Sequence, residues 1–190
     1  METRNLQVRR EQTPAMPPDK FMQVYNPDAQ SVVAQNPAEA FTEASPVMAT
    51  AIQVYGRTNM LTWLTLQLTR VARTVTADRR MSVDDIQMMA EDIVNDPAFR
   101  TLRIAEIMLF LAQYRAGRFG KVYGTLNSIN LCVALRDFLK VRAEALDRLE
   151  SKRRATEREM HDKEAITYEE YCRRAGIPPT PIAERIGRTL

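Results

Sequence analysis

The stretch "LRIAEIMLFLAQYRA", Leu102 to Ala116, decides how the rest of the chain is read. From Ile104 to Ala112 only Glu106 carries a charge. A run that is apolar on nearly every side predicts a helix in the middle of a bundle. Glu106 then needs a partner, because an unpaired buried carboxylate is costly or takes up a proton. Arg103, or an arginine from another helix, is the expected source. This ion pair is the reading adopted over a catalytic glutamate.

Immediately downstream lies "QYRAGRFGKVYGTLNS", Gln113 to Ser128, with half of the chain's six glycines. A phosphate-gripping P-loop needs G-x-x-x-x-G-K-[ST]. Gly120–Lys121 supplies only its second half. Arg115 stands where the first glycine belongs, and Val122 where the hydroxyl belongs. "GRFG", Gly117 to Gly120, has the G-x-x-G spacing of a KH loop, but the sheet of that fold is missing. The stretch therefore reads as a corner between two helices.

Charge gives that corner a candidate function. Between residues 98 and 123, Arg100, Arg103, Arg115, Arg118 and Lys121 stand against Glu106 alone. Tyr114, Phe119 and Tyr123 interleave with the last three cations. Cations neutralise phosphates and aromatic faces stack on unpaired bases. These eight residues are the candidate nucleic-acid-binding set. In the competing reading the aromatics plug the bundle end and the arginines are merely solvated.

Other helices are marked by their ends. Asn36–Pro37 and Ser45–Pro46 read as an N-cap followed by a proline at the first helical position. Gly56 suits a helix stop, and Thr58 suits the next start. Leu61, Leu64, Leu68, Val71 and Val75 recur at helical spacing, with Arg70, Arg73, Arg79 and Arg80 in or after the last turns. Ser82 with Asp85 forms a capping-box pattern, ahead of the stripe Val83, Ile86, Met89, Ala90 and Ile93. Asp96 and Pro97 break that helix. Ser128 starts a long helix to about Ala165, apolar on Leu131, Leu135, Phe138, Leu139, Leu146 and Leu149 and polar all round from Lys152 to Glu164. Thr167 with Glu170 caps a short helix that stops at Gly176. After a proline spacer, Ile182 and Ile186 line a last amphipathic turn. Tyr168, Tyr171, Ile182 and Ile186 are the candidate partner-docking residues.

Composition bounds the class. The chain has 190 residues, 45% hydrophobic and 27% charged, with a net charge of +3. That is enough apolar material for one core. Cys132 and Cys172 are the only cysteines, which argues against a disulfide framework or a zinc site. "METRNLQVRREQ" has no apolar core of a signal peptide, and "IMLFLA" is too short to span a bilayer. A reducing, cytoplasmic setting is expected, with no membrane contact. His161 is the sole histidine and lies in the polar stretch, so no His-containing metal cluster or Ser–His–Asp arrangement is expected. The expectation is no enzyme and no cofactor.

The run "LRIAEIMLFLAQYRAGRFGKVYGTLNSINLCVALRDFLKVR", with "ITYEEYCRR" downstream, resembles small helical proteins of phages and mobile elements of Bacteroides-type bacteria. Their pattern is an apolar helix ending in a glycine–aromatic corner, then a helix ending in F-x-x-x-R. Here those last positions are Phe138 and Arg142. Some such proteins are similar to replication accessory proteins such as helicase loaders. The resemblance implies a non-enzymatic adaptor in DNA replication or metabolism, with no catalytic residues to carry over. The absent ATPase motif separates this chain from ATP-driven loaders.

The expected fold is thus all-α, a bundle of five to six helices with one long C-terminal helix and extended arms at both ends. Residues 1–36 form a flexible arm, 37–150 the bundle, 151–166 a polar extension, and 167–190 a docking tail. The arm has a second reading, as a segment docked through Phe21, Met22, Val24 and Tyr25. The expected partners are single-stranded or duplex DNA, a replication or assembly protein, and a second copy of the chain through the long helix. The alternative function is a structural or assembly protein of the virion or scaffold type, acting through protein contacts alone.

Overall fold

The computed structural model describes residues 16–75, 81–120 and 126–178. Among them the fold is all-α: eight α-helices and two short 3-10 turns, with no strand. The chain divides into two compact units, Met1–Ala145 and Leu146–Leu190.

In the first unit, α6 (Ile104–Arg115) is the centre, as its apolar surface demands. Ile104, Ile107, Met108, Leu109, Phe110 and Leu111 have at most 1% of their surface exposed. α2 (Ala29–Gln35) and α4 (Arg57–Val75) pack directly on α6, and α5 (Val83–Asn95) packs on α4. α4 turns Met60, Trp63, Leu64, Leu68 and Val71 inward, and α5 turns Ile86, Met89, Ala90, Ile93 and Val94 inward. Both stripes follow the helical period read from the sequence.

The helix count exceeds five or six because the N-terminal segment is not an arm beyond residue 17. Pro18–Val24 forms α1, and α2 follows. Phe21, only 2% exposed, lies 4.5 Å from the Tyr55 ring and 6.2 Å from Trp63. Trp63 Nε1 and Gln67 Nε2 each donate to the Tyr25 carbonyl at 2.7 Å. One buried aromatic and two hydrogen bonds hold the segment onto α4. Residues 1–15 of the expected arm lie outside the described residues.

Ser45 behaves differently from the sequence reading. α3 (Met48–Tyr55) starts three residues later and has no side-chain cap. Ser45 instead caps α6: its Oγ accepts from the Ala105 N–H at 3.0 Å, and its carbonyl accepts from Arg103 Nη1 at 2.9 Å. Met48 N–H to Leu102 O and Ile104 N–H to Pro46 O complete an isolated antiparallel bridge between the two helix starts. Ser45→Ala is expected to destabilise the fold by about 1–2 kcal/mol, because it orphans a buried N–H. A urea titration followed by circular dichroism reads this directly, with the midpoint falling at unchanged slope.

Two other expected caps are absent: Asn36 makes no side-chain cap before Pro37, and Thr58 lies inside α4, which begins at Arg57. Ser82 and Asp85 form a reciprocal capping box. Asp96 ends α5, and its Oδ1 accepts from the Ala98 N–H at 2.9 Å, ahead of the 3-10 turn Phe99–Thr101, whose own N-cap Ala98 has no side-chain cap. α7 (Ser128–Glu164) is the expected long helix, opened by Asn127, whose Oδ1 accepts from the Asn130 N–H. Its first turns bury Leu131, Ala134, Leu135 and Phe138.

In the second unit, residues 151–163 of α7 are all exposed. Glu150 takes hydrogen bonds from Arg153 and Arg154, which hold its carboxyl below the usual range. α8 (Tyr168–Ala175) has Thr167 accepting from the Glu170 N–H at its start and Gly176 in the left-handed conformation at its stop.

Candidate nucleic-acid interface

The corner after α6 is a helix C-cap. The Arg118 N–H donates to the Gln113 carbonyl at 3.1 Å, and the Gly117 N–H donates to the Tyr114 carbonyl at 3.0 Å. This is the Schellman pair, and it requires the positive φ of +77° that Gly117 supplies. No phosphate-cradling loop follows from these bonds. They satisfy the last carbonyls of α6.

The two described aromatics of the predicted set, Tyr114 and Phe119, pack toward the bundle. Tyr114 is 5% exposed, and burial pushes its hydroxyl pKa up. Phe119 lies 5.5 Å from the Phe110 ring and 6.3 Å from Phe138. Phe138 in turn lies 5.6 Å from Phe110 and stacks on Phe41 at 6.3 Å. The two rings read as base-stacking platforms therefore pack against the bundle end instead. Tyr123 and Lys121 lie outside the described residues.

The cations separate into two groups. α6 is 12 residues long, so its ends stand about 18 Å apart at the standard helical rise. At the start, Arg103 donates to Ser45 O, and Arg100 Nε donates to the Val94 carbonyl at 3.0 Å. These two guanidiniums satisfy backbone carbonyls where α5 ends and α3 and α6 begin. They do not share a surface with the corner.

Glu106 lies at that same end and is fully buried. Its Oε2 accepts from the Arg103 backbone N–H at 2.7 Å, and its Oε1 pairs with Arg142 Nε of α7 at 2.8 Å. Arg142 Nη2 also donates to the Thr101 carbonyl at 3.3 Å. The partner thus comes from another helix, and both carboxylate oxygens are satisfied. Arg142 is the arginine of the F-x-x-x-R pattern, and Phe138 is its aromatic.

At the far end of α6 the picture differs. Arg118 is exposed and has no ion pair among the described residues. Arg115 is half-buried, and its guanidinium pKa is pushed down by burial and by the positive charge of Arg70 on α4. Arg70 pairs with Asp28, whose carboxylate is 87% exposed. The Nε atoms of both Arg70 and Arg115 are enclosed with no acceptor. Arg73 is exposed one turn beyond Arg70. The sequence reading places Arg70 and Arg73 only at the end of their own helix. Nothing in the local pattern signals that the charge of Arg70 acts on Arg115.

Among the described residues no group of His, Cys, Asp and Glu is arranged to hold a metal. His161 is exposed on α7. Tyr168 and Tyr171 of the docking set are 40% and 53% exposed on α8, and Ile182 and Ile186 lie outside the described residues. No described helix is long and apolar enough to cross a membrane.

One family model matches residues 80–177, just over half of the chain, and is described as a family of unknown function. No curated protein and no solved structure matches.

Proposed function

This chain belongs to the DUF6633 family, and with that membership as the starting point we propose that it is a non-enzymatic adaptor in phage or mobile-element DNA replication. In this reading it holds a nucleic-acid backbone at the C-terminal end of α6. One observation carries the proposal: at the end of α6, Arg118 is exposed with no ion pair among the described residues, and Arg115 is half-buried with its guanidinium pKa pushed down by burial and by the charge of Arg70. Phosphate is the natural counter-charge for such a surface. The resemblance of "LRIAEIMLFLAQYRAGRFG" onward to phage and mobile-element proteins supplies the replication setting, in the bacterial host cytoplasm.

The inward rings change what kind of binding is proposed. With Tyr114 buried and the half-buried Phe119 packed on Phe110 and Phe138, contact is to phosphates and not to bases. Single-stranded and duplex DNA are then both bound, with little sequence preference. The double variant Arg115→Gln/Arg118→Gln is expected to weaken binding of either form about tenfold at low salt. It also flattens the salt dependence on single strands by about 1.4, at ~0.7 per lost phosphate contact. Gel-shift titrations at two salt concentrations measure both quantities. Equal affinity in parent and double variant removes the surface.

The assembly-protein reading rests on the exposed tyrosines of α8 and the fully solvated α7 surface over residues 151–163. It gains if neither DNA form is retarded at low salt.

A further inference from the structure

We propose that the exposed stretch of α7 from Arg148 to Arg158 seats in the major groove of duplex DNA, as a contact separate from the end of α6. The inference rests on the nucleic-acid reading above for its ligand class and on none of that surface's residues.

The helix is bare here. Residues 151–163 are all exposed, so packing into a core fixes none of these side chains. Between residues 148 and 158 the cations Arg148, Lys152, Arg153, Arg154 and Arg158 stand against Glu150 and Glu157, and Asp147 and Glu159 bound the run. At about 100° per residue the charges sort by face. Glu150 and Glu157 share one side. There Glu150 takes hydrogen bonds from Arg153 and Arg154, and Arg153 also pairs with Glu157. A different side carries the small residues Ser151 and Ala155 as a low ridge. Arg154 and Arg158 flank this ridge on one hand, Arg148 and Lys152 on the other, and the two rows stand about 120° apart. Within this stretch no carboxylate lies between the rows. Lys152 and Arg158 make no ion pair among the described residues. Arg153 points the opposite way from the ridge.

That arrangement fits a groove with two charged walls. A helix is about 10–12 Å across, and the major groove is about 12 Å wide. Small residues on the ridge let the axis approach the groove floor, while the two cationic rows face the two phosphate backbones that wall it. A single strand offers one backbone and engages one row only. Ser151 is the one ridge side chain able to hydrogen-bond a base edge, so shape and charge set the contact rather than sequence.

Fluorescence anisotropy of a labelled mixed-sequence duplex and of its single strand, with the full chain, tests the seat. Salt is held near 0.1 M, where screening over about 10 Å separates one side of a helix from the other. Lys152→Gln/Arg158→Gln is expected to weaken duplex binding about tenfold and to lower its salt dependence by about 1.8, at ~0.9 per lost phosphate contact. Single-strand affinity should change less than about twofold. Lys152→Gln alone should lose about threefold, whereas Arg153→Gln removes the same charge from the far side and should lose little. All these positions are exposed, so melting temperatures should match the parent. Unchanged duplex affinity in the double variant overturns the seat, and so do equal losses in Lys152→Gln and Arg153→Gln. If Arg115→Gln/Arg118→Gln still weakens binding in either case, the α6 surface stands without it. A parent chain that binds the single strand but not the duplex overturns the seat alone, and one that binds neither removes both.

Discussion

Arg142→Ala is expected to lower the melting temperature by about 10 °C. The substitution leaves Glu106, fully buried, with a carboxylate oxygen that no longer has a donor. Removing one partner of a buried pair typically costs about 3–5 kcal/mol, and a chain of this size shifts by roughly 2–4 °C per kcal/mol. The charge matters more than the lost contact, and a second variant shows this. Glu106→Gln combined with Arg142→Met removes both charges. The glutamine still accepts from the Arg103 N–H at the helix start, because Gln serves the capping position as well as Glu. The double variant should recover more than half of the loss. Thermal melts followed by circular dichroism decide it. A double variant no more stable than Arg142→Ala would mean that the packing of the arginine stem, and not the buried charge, was what mattered.

The second large effect is expected at Phe138, one turn before Arg142. Its ring joins Phe41 from the 3-10 turn Pro37–Phe41, Phe110 from the central helix and Phe119 from the corner. Truncation to Ala leaves a cavity where these rings converge, at about 3–5 kcal/mol. Phe138→Leu keeps most of the volume and should cost about 1.5 kcal/mol or less. Amide exchange gives the sharper readout. With Phe138 truncated, the Arg118 N–H bonded to Gln113 should exchange faster than the amides in the middle of α6, since Phe119 has lost a wall of its socket. Equal protection of Arg118 in parent and variant would detach the corner from this cluster.

The centre of the fold is legible because α6 is apolar on nearly every face, and a helix of that kind belongs inside a bundle. The caps at Ser82, Asn127, Thr167 and Gly176 involve neighbours three to five residues away, and three of the four are read from local chemistry. At the start of α7, Asn127 takes the capping role beside the Ser128 that was read as its start. Ser45 is misread because its partner is 60 residues downstream. A serine before a proline looks the same whether it caps its own helix or another.

The site is legible only in part, for a related reason. Phe119 sits among glycines and cations, and composition does not say which way a ring faces once Gly117 has turned the chain. Arg100 and Arg103 lie close to Arg115 in sequence, yet a whole helix stands between them. The pairing of Arg70 with Asp28 and the effect of its charge on Arg115 join different segments, and no pattern within any one of them encodes it.

The tie between Ser45 and the start of α6 also bears on the order in which the molecule assembles. The first turn of the central helix is completed by a segment nearly sixty positions earlier, so closure of that long loop must precede a fully bonded α6. The middle of the chain is therefore a late partner rather than a seed. A fragment starting after α4 would present an unfinished helix end and a greasy rod with nothing to lie against.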